Sequence, residues 1–209
     1  PAWPTACGAA DIIAHVLESY FSGADDTPVQ DRIQEGIVLT VMELAPRLIA
    51  EPDDLAGRTN LQWASIVALN GWAQAGSGGA FAMHHIEHAV SARTDLAHGA
   101  GLAILMPAWM KIACEHRLDK YVQFAERVFG VNPKGREPKA VAHDGIACLE
   151  NFLSEIGLPV RFSDTEIEPD LFESFADDAI RITGDEHGRL GGRPQLDRDG
   201  VMEVLNAAK

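Results

Sequence analysis

The sequence predicts an all-α chain of about eight to ten helices of ordinary length. Apolar residues recur at intervals of three and four in one segment after another, and glycine- or proline-bearing turns separate those segments. No run alternates apolar and polar residues as a half-buried strand would.

Thr5 is the expected cap of a first helix whose apolar face carries Ile12, Ile13, Val16, Leu17, Tyr20 and Phe21, with Gly23 ending it. After the turn Asp25-Asp26-Thr27-Pro28, a second helix carries Ile33, Ile37, Val38, Val41, Leu44 and Leu48. Pro46, which has no N–H to donate, is expected to kink or divide it. Residues 53–75 read as a third helix, with Leu61, Ala64, Ile66, Val67 and Leu69 on its face. Gly76-Ser77-Gly78-Gly79 is a turn, and a fourth helix follows with Phe81, Met83, Ile86, Val90 and a group of histidines. A further helix opens near His98 and meets Pro107. Helical spacing returns over 118–129, 140–156, 170–182 and 200–208. Residues 132–138 are the best internal linker in what otherwise reads as one domain over 1–209, and 184–194 form a second loop.

With 17 Lys and Arg against 31 Asp and Glu, the formal net charge of −14 disfavours a surface built to hold phosphate backbones or anionic lipid, so neither nucleic acid nor membrane is an expected partner. The sequence has no apolar run long enough to span a bilayer and no signal peptide, so a cytoplasmic protein is expected. Cys7, Cys114 and Cys148 are odd in number and form no CxxC, which predicts reduced thiols. The chain opens at Pro1 without Met and reads as a fragment.

Histidine carries the chemical signal. Asp11 and His15 are four apart on one helix and share a face. His84, His85 and His88 crowd one turn, and His98 stands immediately before Gly99. Gathering neutral imidazoles and a carboxylate on otherwise apolar helices is costly unless a cation collects them. Such a set suits iron(II) or zinc(II), and the lack of cysteine thiolates nearby argues against a purely structural zinc site. Helix geometry alone puts His84 and His88, an i, i+4 pair, first among candidate ligands.

The blocks Ala9-Ala10-Asp11-Ile12-Ile13-Ala14-His15, Phe81-Ala82-Met83-His84-His85-Ile86-Glu87-His88 and Leu96-Ala97-His98-Gly99-Ala100-Gly101-Leu102 resemble the iron-containing (group III) alcohol dehydrogenases. Val29-Gln30-Asp31-Arg32, Glu35-Gly36 and the pattern through Tyr121, Ala125, Glu126, Arg127 and Val128 narrow the resemblance toward the butanol dehydrogenases. The resemblance implies a helical C-terminal metal domain without the N-terminal α/β domain that binds the nicotinamide cofactor. It implies metal ligands at Asp11, His15, His84 and His98, with His88 beside the nicotinamide and substrate as a catalytic and cofactor-binding residue. It also implies Fe2+, with Zn2+ as the other candidate, NADP(H) or NAD(H) with NADPH favoured, a small alcohol or aldehyde substrate, and a homodimer. His85 is left as a solvent-facing or supporting imidazole, and Glu87 either bonds a histidine or is exposed.

The expected chemistry is Lewis-acid polarisation of the alcohol or carbonyl oxygen during hydride transfer. Phe81, Trp72 and Leu102 are candidates for an aliphatic pocket, with core packing the commoner role for each. Two other readings stand beside this one. The pair His143-Asp144 suggests a helical metal-dependent phosphohydrolase, and a non-catalytic metal-binding or dimerisation module is the other. The isolated chain is expected to be inactive as a dehydrogenase, because it carries no loop to hold the cofactor's phosphates.

Overall fold

A computed structural model describes all residues, 1–209. It contains nine α-helices: α1 (Ala2–Ser22), α2 (Pro28–Ala50), α3 (Leu55–Leu69), α4 (Ala82–Thr94), α5 (His98–Ala113), α6 (Leu118–Phe129), α7 (Pro138–Glu155), α8 (Phe172–Thr183) and α9 (Arg198–Ala207). There is no sheet. One antiparallel bridge, Leu190 with Leu196, ties the loop before α9.

Two helices form the centre because they are apolar nearly all round. α1 buries Ala6, Ala9, Ala10, Ile13, Ala14, Val16 and Leu17, and α5 is buried without interruption from Gly99 to Met110. They pack on each other. α2 and α3 cover one side of α1, while α4 lies against both α5 and α8. α6 is amphipathic instead, burying Tyr121, Phe124, Ala125 and Val128. Its Tyr121 ring stacks on Phe21 of α1 at 3.8 Å between centroids, with Phe124 edge-on to Phe21 at 5.4 Å. Residues 130–137 connect α6 to α7, which pack against one another.

Several boundaries differ from the sequence expectation. α1 starts at Ala2, three residues before Thr5. The Thr5 hydroxyl donates back to the Pro1 carbonyl at 2.9 Å instead of capping an N-terminus. α2 runs unbroken through Pro46, because that residue lies on the exposed side of the helix, where water can serve the carbonyl left without its donor. α3 is shorter than periodicity suggested: Asp54 caps it by accepting from the Gly57 N–H at 3.0 Å, and it ends at Leu69, leaving residues 70–79 as turns. No helix is long and apolar enough to cross a membrane.

Candidate metal centre

Four side chains singled out in the sequence converge on one atom. α1 presents Asp11 and His15 one turn apart, the first turn of α4 supplies His84, and α5 opens with His98. The Nε2 atoms of His15, His84 and His98 each lie 3.5 Å from Asp11 Oδ1. An N–H···O hydrogen bond spans about 2.7–3.2 Å, so these are not hydrogen bonds of ordinary length. Asp11 Oδ1 and His84 Nε2 are both buried with no hydrogen-bond partner. Such groups cost about 1–3 kcal/mol each when left unsatisfied. Ligand atoms of a tetrahedral site with bonds of about 2.0–2.2 Å sit about 3.3–3.6 Å apart, so the spacing matches donors arranged round a shared cation. The ligand atoms of Asp11, His84 and His98 all fall within 4.8 Å of one another, and His15 joins through the same oxygen.

Two of the imidazoles are held from behind. His84 Nδ1 bonds Glu18 Oε2, and His98 Nδ1 bonds Glu87 Oε2. Both carboxylates are fully buried. Donation from Nδ1–H to a carboxylate leaves the Nε2 lone pair for the site, which is the tautomer a metal ligand needs. Glu18 is further fixed by the backbone N–H of Met83 at 2.5 Å. Sequence reasoning missed Glu18, although one signal was available: it stands three residues after His15 and seven after Asp11, a carboxylate on the apolar face of α1. Glu87, left open between two roles, is the one that bonds a histidine.

The electrostatics show a site that calls for positive charge. Burial pushes the Asp11 carboxyl up, but the imidazoles of His84 and His98 outweigh burial and hold it well below the usual carboxylate range. Burial pulls His84 down, yet Asp11 and Glu18 together raise it. Asp11 and then Glu87 push His98 up to about 10. Burial and the facing His84 drop His15 to about 4. Three carboxylates surround three imidazoles and raise His84 and His98, and a divalent cation would answer the same negative charge.

His88 is exposed at the rim, its ring 5.2 Å from that of His98 and 6.2 Å from that of His84. It takes no part in the convergence on Asp11. Its ligand atom lies instead within 4.8 Å of those of Glu87 and His98. His85 is half-buried, with its Nδ1 unpartnered. Of the three proposed pocket residues only Phe81 reaches the centre, edge-on to His15 and His84 with centroids 5.5 Å away. Leu102 is core, and Trp72 lines an exposed groove between α2 and α3. Cys7, one turn before Asp11, shares a surface cleft with Asp11, His98 and Gly99, so a thiol does lie near the centre. All three cysteines are free. His143 and Asp144 sit on α7 outside any cluster of potential ligands, and Asp144 is paired with Arg136 at 2.7 Å.

Residues 5–209 match the C-terminal part of the Fe-containing alcohol dehydrogenase family. The chain belongs to this family. The family member is 35% identical over 204 residues to the probable NADH-dependent butanol dehydrogenase 2 of Bacillus subtilis, covering 98% of this chain and 52% of that protein. It is 35% identical over 202 residues to NADH-dependent butanol dehydrogenase A of Clostridium acetobutylicum, covering 96% and 51%. The crystal structure of an NADH-dependent butanol dehydrogenase A from Thermotoga maritima superposes with a TM-score of 0.91 at 37% identity, over 100% of this chain and 52% of that one. The chain thus spans about half the length of the curated relatives it matches.

Proposed function

We propose that these residues form the metal-binding half of an NAD(P)H-dependent alcohol dehydrogenase or aldehyde reductase, with Asp11, His15, His84 and His98 holding one divalent cation. The observation that carries this reading is the convergence of three Nε2 atoms on the buried, unpartnered Asp11 Oδ1 at 3.5 Å. Iron(II) is the proposed ion, in keeping with the family's description, and zinc(II) accepts the same donors.

When bound, such an ion supplies Lewis-acid polarisation of an alcohol or carbonyl oxygen. Asp11 contributes the single negative charge among the four donors, so the centre keeps net positive charge toward a substrate oxygen. Glu18 and Glu87 hold two of the imidazoles in one tautomer and orientation. The Phe81 ring covers His15 and His84 and keeps water off that flank. Burial and the neighbouring His98 lower the pKa of His88, so at pH 7 it is neutral at the exposed rim and able to accept or relay a proton beside the substrate. The nicotinamide cofactor is assigned to the half of the relatives' length that these residues do not match. The two relatives named above are called NADH-dependent, which favours NADH. A homodimer in the cytoplasm completes the reading, and sedimentation and cell fractionation of the longer protein test it.

Elemental analysis is the direct test. The wild-type chain should carry one divalent ion, His98→Ala should lose it, and His88→Ala should keep it. The opposite pattern at His88 and His98 would overturn the ligand set. Joined to a half of the kind its relatives carry beyond the matched residues, the chain should reduce butanal with NADH or NADPH, followed at 340 nm, and His84→Ala should abolish turnover. The 209 residues alone should give none, since misplacing hydride donor and acceptor forfeits much of the several kcal/mol that positioning contributes.

A further inference from the structure

Like Glu18, Glu87 is wholly buried and holds a proposed ligand from behind, but it is the less constrained of the two. It lies on α4, three residues after His84, and reaches across to α5, where Oε2 takes the Nδ1 proton of His98. Glu18, its counterpart behind His84, is clamped by the backbone N–H of Met83 as well as by the ring. Glu87 has no such clamp. Its second oxygen, Oε1, is buried without a partner.

What gives the Glu87 carboxylate its place is a missing side chain on α5. A Cβ built at Gly101 would stand 2.4 Å from Glu87 Oε1, 2.8 Å from Cγ and 2.9 Å from Cδ. Gly101 sits within the helix, where alanine is the better helix former. The space that the Glu87 carboxylate fills accounts for a glycine there.

We infer that Glu87 and Gly101 act as a positioning pair for His98, so that the cation affinity of the centre depends on a glycine that contacts no ligand atom. The inference rests on the metal-centre reading given above. Glu87 keeps the His98 proton on Nδ1 and the ring turned so that Nε2 faces Asp11. An alanine at 101 displaces the Glu87 side chain from Cγ outward, releasing the ring while leaving both helix backbones free to stay in place.

The test is the Zn2+ affinity of the 209-residue chain, measured by competition with a chromophoric chelator at a fixed pH above neutrality, with circular dichroism and metal-free melting as checks on folding. Loss of a partner behind a ligating histidine weakens binding about 10–100-fold, and Glu87→Leu should fall in that range. Glu87→Gln, which keeps an acceptor in the same place, should recover most of the loss. Gly101→Ala should weaken binding as Glu87→Leu does, even though alanine favours the helix. The double variant Glu87→Leu/Gly101→Ala should be no weaker than either single one, because both remove one interaction. Should Glu87→Leu fail to fold, Gly101→Ala carries the test, since the atoms its Cβ meets are those of the Glu87 side chain from Cγ outward and none of them is backbone. Wild-type affinity in Gly101→Ala, additive losses in the double variant, or a glutamine no better than leucine would each overturn the pair. A wild-type chain whose Zn2+ binding does not depend on His98 would instead overturn the metal centre itself.

Discussion

Asp11 Oδ1 is the atom on which the three imidazoles close, and the acceptor it presents to the ring is the first cause of the raised His98 pKa, ahead of Glu87. Asp11→Asn preserves size and one oxygen while removing the charge. It should weaken metal binding by more than the about 10–100-fold expected for losing a supporting partner. In the metal-free protein the His98 titration, followed by NMR, should move down from about 10 toward the ordinary histidine value. A His98 midpoint unchanged in Asp11→Asn would show that Asp11 does not face that ring. At this scale the sequence was informative where ligands share a helix: Asp11 and His15, four apart, were legible as a pair. For Glu18 it offered only a spacing from Asp11 and His15, because a lone glutamate on an apolar face looks the same whether it pairs with a histidine or bends out to water.

Between elements, the centre depends on how closely α1 and α5 approach. A Cβ at Gly99 would fall 2.0 Å from the Cys7 carbonyl oxygen and 2.7 Å from Cys7 Cα, so the clash is with backbone and no rotamer relieves it. Gly99→Ala should force the helices apart and draw His98 from Asp11. The expected cost is at least the about 1–3 kcal/mol of overpacking in denaturant unfolding, together with a fall in Zn2+ affinity. Gly145→Ala provides the contrast: its Cβ would meet Ala125 Cβ at 2.5 Å and Cα at 2.9 Å, where α6 packs on α7. It should cost comparable stability and leave the affinity unchanged. Equal affinity losses in both variants would mean that global loosening, not the α1–α5 approach, governs the site. Periodicity located every helix, and 118–129 matched α6 end to end. Caps and prolines misled because their effect depends on exposure, as at Pro46, which lies on the exposed side of α2.

For the whole molecule, the centre makes stability depend on pH in opposite senses with and without metal. His98, folded at about 10 against about 6.5 unfolded, contributes stability that is complete below about 6.5 and lost as pH rises through about 10. His15, folded at about 4, adds a penalty as pH falls from about 6.5 toward 4, where the unfolded chain binds a proton that the folded one refuses. Metal binding needs neutral imidazoles, so the increase in Tm on adding metal should grow as pH rises from 6.5 toward 10, while the metal-free Tm declines over the same range. Melting curves at several pH values, with and without Zn2+, give both trends. A metal-induced increase that is flat with pH would rule out histidine ligation.

An all-α array, its helix count, the acidic balance of its charge and the pair Asp11 and His15 were readable from the order of amino acids, because periodicity, net charge and short spacings are local properties; His98 as a candidate ligand came only from the family resemblance. Four things were not readable. The packing of α1 against α5 brings His98, and not His88, to Asp11 Oδ1, and burial turns Glu18 and Glu87 into partners for two rings. Folding also places Cys7 beside the centre and leaves Trp72 and Leu102 away from it. Each depends on which faces of helices distant in sequence come to lie within a few ångströms of one another, and that is settled by the packing of the core as a whole.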